Sequence, residues 1–172
     1  MKKFFYVMAG VAILILVLYT YLGGFTAPDV TVVELETKYV AGVPFEGSVE
    51  DEALGRAFQR AAKVVEQKEL EGVLGSVYYN NPDTSGDSLR AFIGVIVPDP
   101  NVTLPEGYEL RTVQGGKKVV HVEANANIAL LPGKLYEAAF DYADTENLKL
   151  EDFYVEWFPE EDIGVLEVPI KQ

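Results

Sequence analysis

Hydrophobic and polar residues alternate along most of the chain in a way that predicts seven strands. Aromatic and β-branched residues dominate short runs bounded by turn-forming residues, as is typical of strands. We expect strands at 30–40, 74–79, 89–97, 110–113, 119–122, 153–158 and 163–168. The run at 89–97 is apolar on both faces, which favours a central position in a sheet. Residues 42–47 are predicted as a loop, and residues 114–116 as a hairpin turn between the fourth and fifth strands.

Two further stretches have apolar residues at helical spacing. Ser48 is suited to cap the first helix, and Gly72 to end it. Pro132 belongs in the first turn of the second helix, a position that proline favours. The apolar stripe consists of Leu54, Phe58, Ala61, Ala62 and Val65 in the first helix, and of Leu131, Leu135, Ala138, Ala139 and Tyr142 in the second. Such one-sided stripes predict helices that pack against the rest of the domain.

The order of these elements repeats along the chain. A shift of 81 residues superimposes the apolar stripes of the two helices, and a shift of 79 aligns the strands that follow them, pairing Val77 with Glu156. We therefore predict an α+β domain of two tandem strand-helix-strand-strand units, at about 30–99 and 106–170, with pseudo-twofold symmetry.

The amino terminus has a different pattern, an uninterrupted apolar run. The residues from Phe4 to Leu22 carry no charge. At about 1.5 Å per helical residue, this run spans the roughly 30 Å hydrocarbon core of a bilayer. We expect a transmembrane anchor at 1–23, a linker at 24–29 and the folded domain at 30–172. The alternative is a cleaved signal peptide, but the run exceeds a usual signal-peptide core and no Ala-x-Ala site follows it.

The distribution of positive charge predicts the orientation of this anchor. Lys2 and Lys3 precede the apolar run, and the next basic residue is Lys38. The positive-inside rule therefore predicts a single-pass membrane protein with its amino terminus in the cytoplasm and its domain outside.

Composition narrows the range of partners. Beyond residue 23 the chain has 27 acidic and 12 basic residues, a net charge of −15. Such a field repels nucleic acid and favours cations, so we expect no nucleic-acid partner. The absence of cysteine excludes disulfides and thiolate metal sites. We also expect no metal and no cofactor, since His121 is the only histidine and the acidic residues 160–162 are typical of a solvated turn.

The aromatic strand at 153–158 carries the main candidate for a functional residue. Because side chains alternate along a strand, Glu156 and Phe158 point to one face, and Val155 and Trp157 to the other. An acid inside such an apolar strand lies either at a solvated edge, with no role, or in a cleft. In a cleft it would be partly desolvated, which raises its pKa and strengthens its attraction for a cation.

Aromatic walls would add cation–π contacts to such a cleft. The candidate walls are Tyr79, Phe158, Trp157 and Tyr136. For each of them the alternative is an ordinary position in the hydrophobic core.

Two segments resemble a known family. The residues YYNNP at 78–82 are similar to the Tyr-Tyr-(Asp/Asn)-Asn-Pro segment of GyrI-like domains, also called bacterial effector-binding domains. The residues EWF at 156–158 resemble their Glu-x-aromatic strand. The resemblance covers roughly residues 30–170, and it implies a pseudo-twofold pair of strand-helix-strand-strand units with a ligand cleft along the join. It also implies that Glu156 faces this cleft and meets cationic or polar ligands.

The members of this family differ in function. They include drug-sensing domains of transcription regulators, gyrase-inhibitory proteins and a branch that hydrolyses cyclopropane-containing toxins. A membrane span followed directly by this domain resembles the testis-expressed ER-phagy receptor and its relatives. That receptor's long disordered tail and the regulators' DNA-binding helices have no counterpart in this sequence, so neither function is carried over. The receptor's domain faces the cytosol, whereas the charge rule predicts the opposite here, and we keep the charge rule.

Three functions remain open from the sequence. The first is noncatalytic binding of a small cationic or amphipathic molecule in the cleft between the two units, by a domain anchored in the membrane. The second is a protein-interaction module at the membrane, in which the cleft is filled by the protein's own side chains. The third is a small-molecule hydrolase, in which Glu156 acts as general base on a water. No second acid is paired with Glu156 in the sequence, so we favour a protein that is not an enzyme.

Overall fold

The computed structural model describes residues 2–171. The helices are α1 (Lys2–Tyr21), α2 (Glu52–Glu66) and α3 (Leu131–Thr145), and a short 3₁₀ turn covers Gly86–Ser88. The strands are β1 (Asp29–Glu34), β2 (Lys38–Gly47), β3 (Val73–Tyr78), β4 (Leu89–Val97), β5 (Glu109–Val113), β6 (Lys118–Asn125), β7 (Tyr154–Glu160) and β8 (Ile163–Pro169).

The strands form one antiparallel sheet in the order β1-β6-β8-β7-β3-β4-β2-β5. The order is symmetric about the central β3·β7 pair, on either side of which lie β2-α2-β3-β4 and β6-α3-β7-β8. One further strand precedes each unit in the chain, β1 before the first and β5 before the second, and we call these the leading strands. Each leading strand pairs with the other unit, since β1 pairs with β6 of the second unit and β5 pairs with β2 of the first. The predicted α+β fold of two repeated units, preceded by an apolar helix, is therefore confirmed.

The exchange of leading strands overturns two predictions. The single strand expected at 30–40 is two strands, β1 and β2, and β2 continues through the expected loop at 42–47. No hairpin joins β5 to β6, since β5 lies at one edge of the sheet and β6 near the other. The connection after β5 instead pairs with the connection after β1: Leu35 N donates to Lys117 O at 2.7 Å, and Gly116 N to Leu35 O at 2.9 Å.

Helix α2, the first of the two predicted amphipathic helices, begins and ends at other residues than predicted. Its N-cap is Asp51 rather than Ser48, and the Asp51 carboxylate accepts a 2.7 Å hydrogen bond from Ala53 N. The helix ends at Glu66, well before Gly72, and the chain turns away at Lys68, which has φ 57°. The carboxylate of Asp51 satisfies a free N–H of the first turn and suits the positive end of the helix dipole.

The two faces of the sheet have different surroundings. Helix α2 packs mainly on β4, and α3 packs on β6 and β8. Both helices contribute to the same core cluster, so they lie on one side of the sheet, which we call the helix face. Val77, Phe92, Val119 and Val155 point to the opposite side, the rear face, together with Leu35, Val40 and Val113. The larger core cluster lies between the helices and the helix face.

The sheet is strongly curved toward its rear face. Lys38 on β2 and Glu167 on β8 are four strands apart, about 19 Å in a flat sheet. Their side chains nevertheless form an ion pair, with 2.8 Å between Nζ and Oε2. Gly42, Gly94 and Gly75 pair side by side on β2, β4 and β3. A Cβ added to Gly94 would overlap the Ala41 carbonyl oxygen, so this row of glycines permits the close approach of β2 and β4.

We expect Gly94→Ala to destabilise the fold by about 1–3 kcal/mol, because the backbone of β2 must shift to admit a methyl group. The control is Gly55→Ala, since a Cβ at Gly55 in α2 meets nothing within 4 Å. That change should stabilise the protein by about 0.5–1 kcal/mol through helix propensity. Denaturant unfolding followed by the fluorescence of Trp157, the only tryptophan, measures both. Equal effects of the two substitutions would contradict the close approach.

Candidate functional site

Glu156 lies at the centre of the sheet and points to the helix face. It is on β7, directly opposite Ser76 of β3, at the pairing that joins the two units. Only 3 % of its surface is exposed. The predicted alternation is correct, since Phe158 contacts the helix-face cluster whereas Val155 and Trp157 belong to the rear-face cluster. The acid is therefore part of the interior rather than of a solvated edge.

The predicted match of the two strands at a shift of 79 residues, which aligned Val77 with Glu156, is wrong by one residue. Val77 is paired with Val155, and both are buried in the rear-face cluster. Val77 and Glu156 consequently point to opposite faces, and a twofold axis perpendicular to the sheet cannot relate them. Because a side chain changes face with every residue, a shift that is wrong by one residue reverses its direction.

Hydroxyl groups and aromatic rings surround the Glu156 carboxyl. Tyr78 and Tyr154 are paired across β3 and β7, next to the Ser76·Glu156 pair. The ring of Tyr136, on α3, lies 5.5 Å from the ring of Tyr154. Ser76, Tyr78 and Tyr154 were not predicted as site residues, because their position next to Glu156 depends on the register of β3 with β7.

Several polar atoms in this region lack a partner. Glu156 Oε1, Ser76 Oγ and the Tyr136 hydroxyl are fully enclosed and have no hydrogen-bond partner within residues 2–171. A buried polar atom without a partner costs about 1–3 kcal/mol. Three such atoms, two of them on directly opposed residues, mark this region as a place where groups from a ligand would be stabilised.

Burial sets the protonation of the site. It raises the pKa of the Glu156 carboxyl to about 7, while the Tyr78 hydroxyl opposes this shift and the negative charge of Asp83 adds to it. Burial, followed by the charge of Glu156, also raises the pKa of Tyr78 and that of Tyr136. At neutral pH the tyrosines are thus proton donors, and Glu156 is poised between its neutral and charged forms.

A groove opens beside this enclosed region. It has a volume of about 730 Å³ and is lined by Ala62, Val65, Glu66, Gly72, Val73, Leu74, Ile128, Phe158, Pro159, Glu160 and Glu161. Its position is between the second half of α2 and the loop that precedes α3. Phe158 connects the groove with Glu156, because alternate residues of a strand share one face and lie about 7 Å apart. The walls are mainly apolar, and the charged side chains at the groove are all acidic.

The other two predicted wall residues lie on the rear face, away from Glu156. Tyr79 accepts a 3.1 Å hydrogen bond from Arg111, whose guanidinium stacks on Phe92 at 4.1 Å. The Trp157 ring lies under the Lys38 ammonium, at 4.7 Å. The structure therefore brings together Glu156, Phe158 and Tyr136 of the predicted set, and separates Tyr79 and Trp157 from them.

His121 also lies on the rear face, where both His121 and Lys38 contact the carboxylate of Glu167. His121 Nδ1 lies 3.1 Å from Glu167 Oε1, and Lys38 Nζ lies 2.8 Å from Oε2. Burial would raise the pKa of Glu167, but the contacts with His121 and Lys38 outweigh it and lower the pKa. This carboxylate is thus neutralised by the protein itself, in contrast to Glu156.

Comparison with known proteins identifies the family of this domain. A family model described as GyrI-like small molecule binding domain matches residues 28–163. No curated protein matches the chain.

Solved structures with the same fold have low sequence identity. An integron cassette protein of Vibrio cholerae has a TM-score of 0.63 and 12% identity, over 83% of this chain and 95% of that one. SAV2435, solved bound to tetraphenylphosphonium, has a TM-score of 0.59 and 12% identity, over 83% and 94%. A hydrolase of Listeria innocua has a TM-score of 0.51 and 14% identity, over 86% and 95%.

The raised pKa of Glu156 predicts a pH-dependent stability. The folded protein holds this proton more tightly than the unfolded chain, whose carboxyl has its ordinary value of 4.5. The free energy of unfolding should therefore fall as the pH rises from about 5 to about 8. In Glu156→Gln this contribution disappears, and relative to wild type the variant should gain on the order of 3 kcal/mol between those pH values.

Denaturant unfolding at a series of pH values measures this difference. Glu167 does not interfere, because a lowered pKa affects stability below the ordinary carboxyl value, outside the window. Parallel pH profiles of wild type and variant would show that the pKa of Glu156 is not raised in the folded protein.

Proposed function

The chain belongs to the GyrI-like small-molecule binding domain family, and from this premise we propose that it binds an amphipathic cation on the helix face of the sheet. The apolar body of the ligand occupies the groove, and its positive charge interacts with Glu156. The observation that carries this proposal is the enclosed carboxyl with an unpaired oxygen beside an acid-rimmed apolar groove.

The chemistry of the site favours a cation over a neutral ligand. A positive charge close to Glu156 stabilises the carboxylate, so binding near neutral pH is coupled to release of a proton. The enclosed aromatic rings Tyr136 and Tyr154 provide faces for a cation. Because Glu156 is covered in the unliganded chain, the ligand reaches it only after the side chains above it move aside, and Phe158 is the residue where that path begins.

The arrangement favours binding over hydrolysis. The residues beside Glu156 in the β3·β7 pairing, Ser76, Tyr78 and Tyr154, carry hydroxyls, and the single histidine, His121, lies on the rear face. A general base needs a second group that converges on the same substrate atom. The described groups that act on Glu156 are the neutral Tyr78 hydroxyl and the like charge of Asp83, rather than a basic side chain. A protein-interaction role would follow from a completely filled cleft, but the groove beside Glu156 has a volume of about 730 Å³.

We propose further that α1 anchors the domain to a membrane. Residues Phe4–Tyr21 form a helix long and apolar enough to span a bilayer, and its window is not buried by the rest of the protein. An apolar helix with an exposed surface all round is stable in lipid rather than in water. The lysines that precede it support an orientation with the amino terminus in the cytoplasm and the domain outside.

Cation binding is testable with tetraphenylphosphonium as the probe. We expect calorimetric titration of the full chain in detergent to give saturable binding, weakened about tenfold or more in Glu156→Gln. Release of a proton on binding should make the apparent binding enthalpy depend on the ionisation enthalpy of the buffer. The Glu156→Gln variant should show no such dependence.

Two control variants separate the site from the general field of the protein. Ala62→Arg places a positive charge in the groove and should also weaken binding. Glu123→Gln removes an equal charge from an exposed position on β6 and should leave the affinity unchanged. The proposal fails if Glu156→Gln binds tetraphenylphosphonium as wild type does, or if the anion tetraphenylborate binds equally well.

The orientation is testable by cysteine labelling, because the natural chain has no cysteine. Gln114→Cys introduces a thiol in an exposed loop of the domain. We expect a membrane-impermeant maleimide to label it in intact cells, as fully as after lysis. Labelling only after lysis would reverse the proposed orientation.

A further inference from the structure

The end of the apolar helix is fixed to the domain rather than joined to it by a free linker. Asn127 N donates a 3.0 Å hydrogen bond to Leu22 O, and the Lys134 ammonium donates a 2.8 Å hydrogen bond to Gly24 O. The segment at 23–28 also folds back on the helix, since the Phe25 ring meets the Tyr19 ring edge-on at 5.0 Å.

Gly23 allows the backbone at the end of the helix to approach the domain closely. It has φ 77°, a conformation that favours glycine, and a Cβ there would lie 2.9 Å from Ala126 Cα. The backbone at the end of the helix therefore packs directly on the loop that follows β6. This loop is in turn held to the β7–β8 turn by a 2.9 Å hydrogen bond from Ala126 N to Asp162 O.

The two loops that hold the helix also border the groove. Asn127 contacts the helix end and the adjacent Ile128 lines the groove. Likewise, Asp162 faces a small cavity at the helix end, whereas Glu160 and Glu161 line the groove. The groove thus opens at the end of the domain from which the apolar helix emerges, one or two residues from the points of attachment.

From this juxtaposition we propose that the groove takes its ligand from the bilayer interface, and that the ligand is an amphipathic cation already partitioned into the membrane. The proposal rests on the cation-binding function and the anchor proposed above. The fixed helix holds the groove against the membrane surface, so that a bound molecule passes from lipid to protein without crossing bulk water.

The chemistry around the groove supports this route. Ile128, Tyr21 and Phe25 are exposed large apolar residues at this end of the domain, and aromatic side chains are favoured at the bilayer interface. A cation in a membrane keeps its charge at the headgroups and its apolar body among the acyl chains. The acidic rim at Glu66, Glu160 and Glu161 and the apolar walls behind it match the two ends of such a molecule.

The route is tested by a kinetic experiment with the full chain in phosphatidylcholine vesicles. The probe is dodecyltriphenylphosphonium carrying a pyrene, which accepts energy from Trp157. In one arm the probe is incorporated into the vesicles that contain the protein, and in the other into protein-free vesicles that are then mixed in. Binding in the first arm should be at least roughly tenfold faster, because a long alkyl chain leaves a bilayer at a cost of about 0.8 kcal/mol per methylene.

A variant without the attachment provides the comparison. Gly23→Val with Lys134→Ala should remove the contacts of the helix end and abolish the advantage of the first arm. The same variant should bind water-soluble tetraphenylphosphonium with unchanged affinity, which shows that its site is intact. Lys149→Ala is the matched control for loss of a lysine, and Ala62→Arg gives the background signal from probe that remains in the lipid.

The outcomes separate this inference from the function on which it rests. Equal rates in the two arms, with tetraphenylphosphonium still bound, mean that the ligand arrives through water, and they overturn the membrane route alone. A detached variant that keeps the advantage of the first arm likewise overturns the role of the fixed helix. If tetraphenylphosphonium does not bind the wild type at all, the proposed function fails and the route with it.

Discussion

The pairing of β3 with β7 determines where everything else in this domain lies. It joins the two units into one sheet through five residue pairs, from Leu74·Phe158 to Tyr78·Tyr154. Helix α2 packs mainly on β4, and α3 on β6 and β8, so that neither helix is centred on the join. The helix face above β3 and β7 is consequently covered by side chains rather than by a helix, and a groove remains beside it. The twofold arrangement of the two units thus leaves an enclosed polar region at its axis, with the groove beside it.

Glu156 shows the cost of placing a carboxyl group on this axis. A carboxyl among Tyr78, Tyr136 and Ser76 loses its hydration, which appears as a pKa of about 7 and as an oxygen without a partner. An apolar residue of similar volume would pack there without this penalty. Natural sequences violate the rules of core packing mainly at functional sites, which is why we propose this residue, rather than an exposed acid, as the ligand contact.

The sequence was sufficient for the repeated α+β architecture and for the face on which Glu156 and Phe158 lie, because both follow from local periodicity. It was insufficient for the neighbours of these residues. The exchange of β1 and β5 between units depends on pairings between distant segments, and the hairpin expected at 114–116 was wrong for that reason. Ser76 and Tyr78 joined the site only through the register of β3 with β7, and Tyr79 and Trp157 left it because alternation placed them on the rear face.

The buried carboxylates on the two faces of the sheet have different partners, and this difference supports the ligand side that we propose. On the rear face Glu167 forms an ion pair with Lys38 and a hydrogen bond with His121, and its pKa is lowered. A further cation would have to displace those partners before it could bind there. On the helix face, Glu156 has hydroxyl groups but no cation of the protein beside it within the described residues, so a ligand that brings the charge meets no competitor. The curvature of the sheet brings Lys38 across four strands to Glu167 on the rear face, whereas strand alternation directs Glu156 to the opposite face.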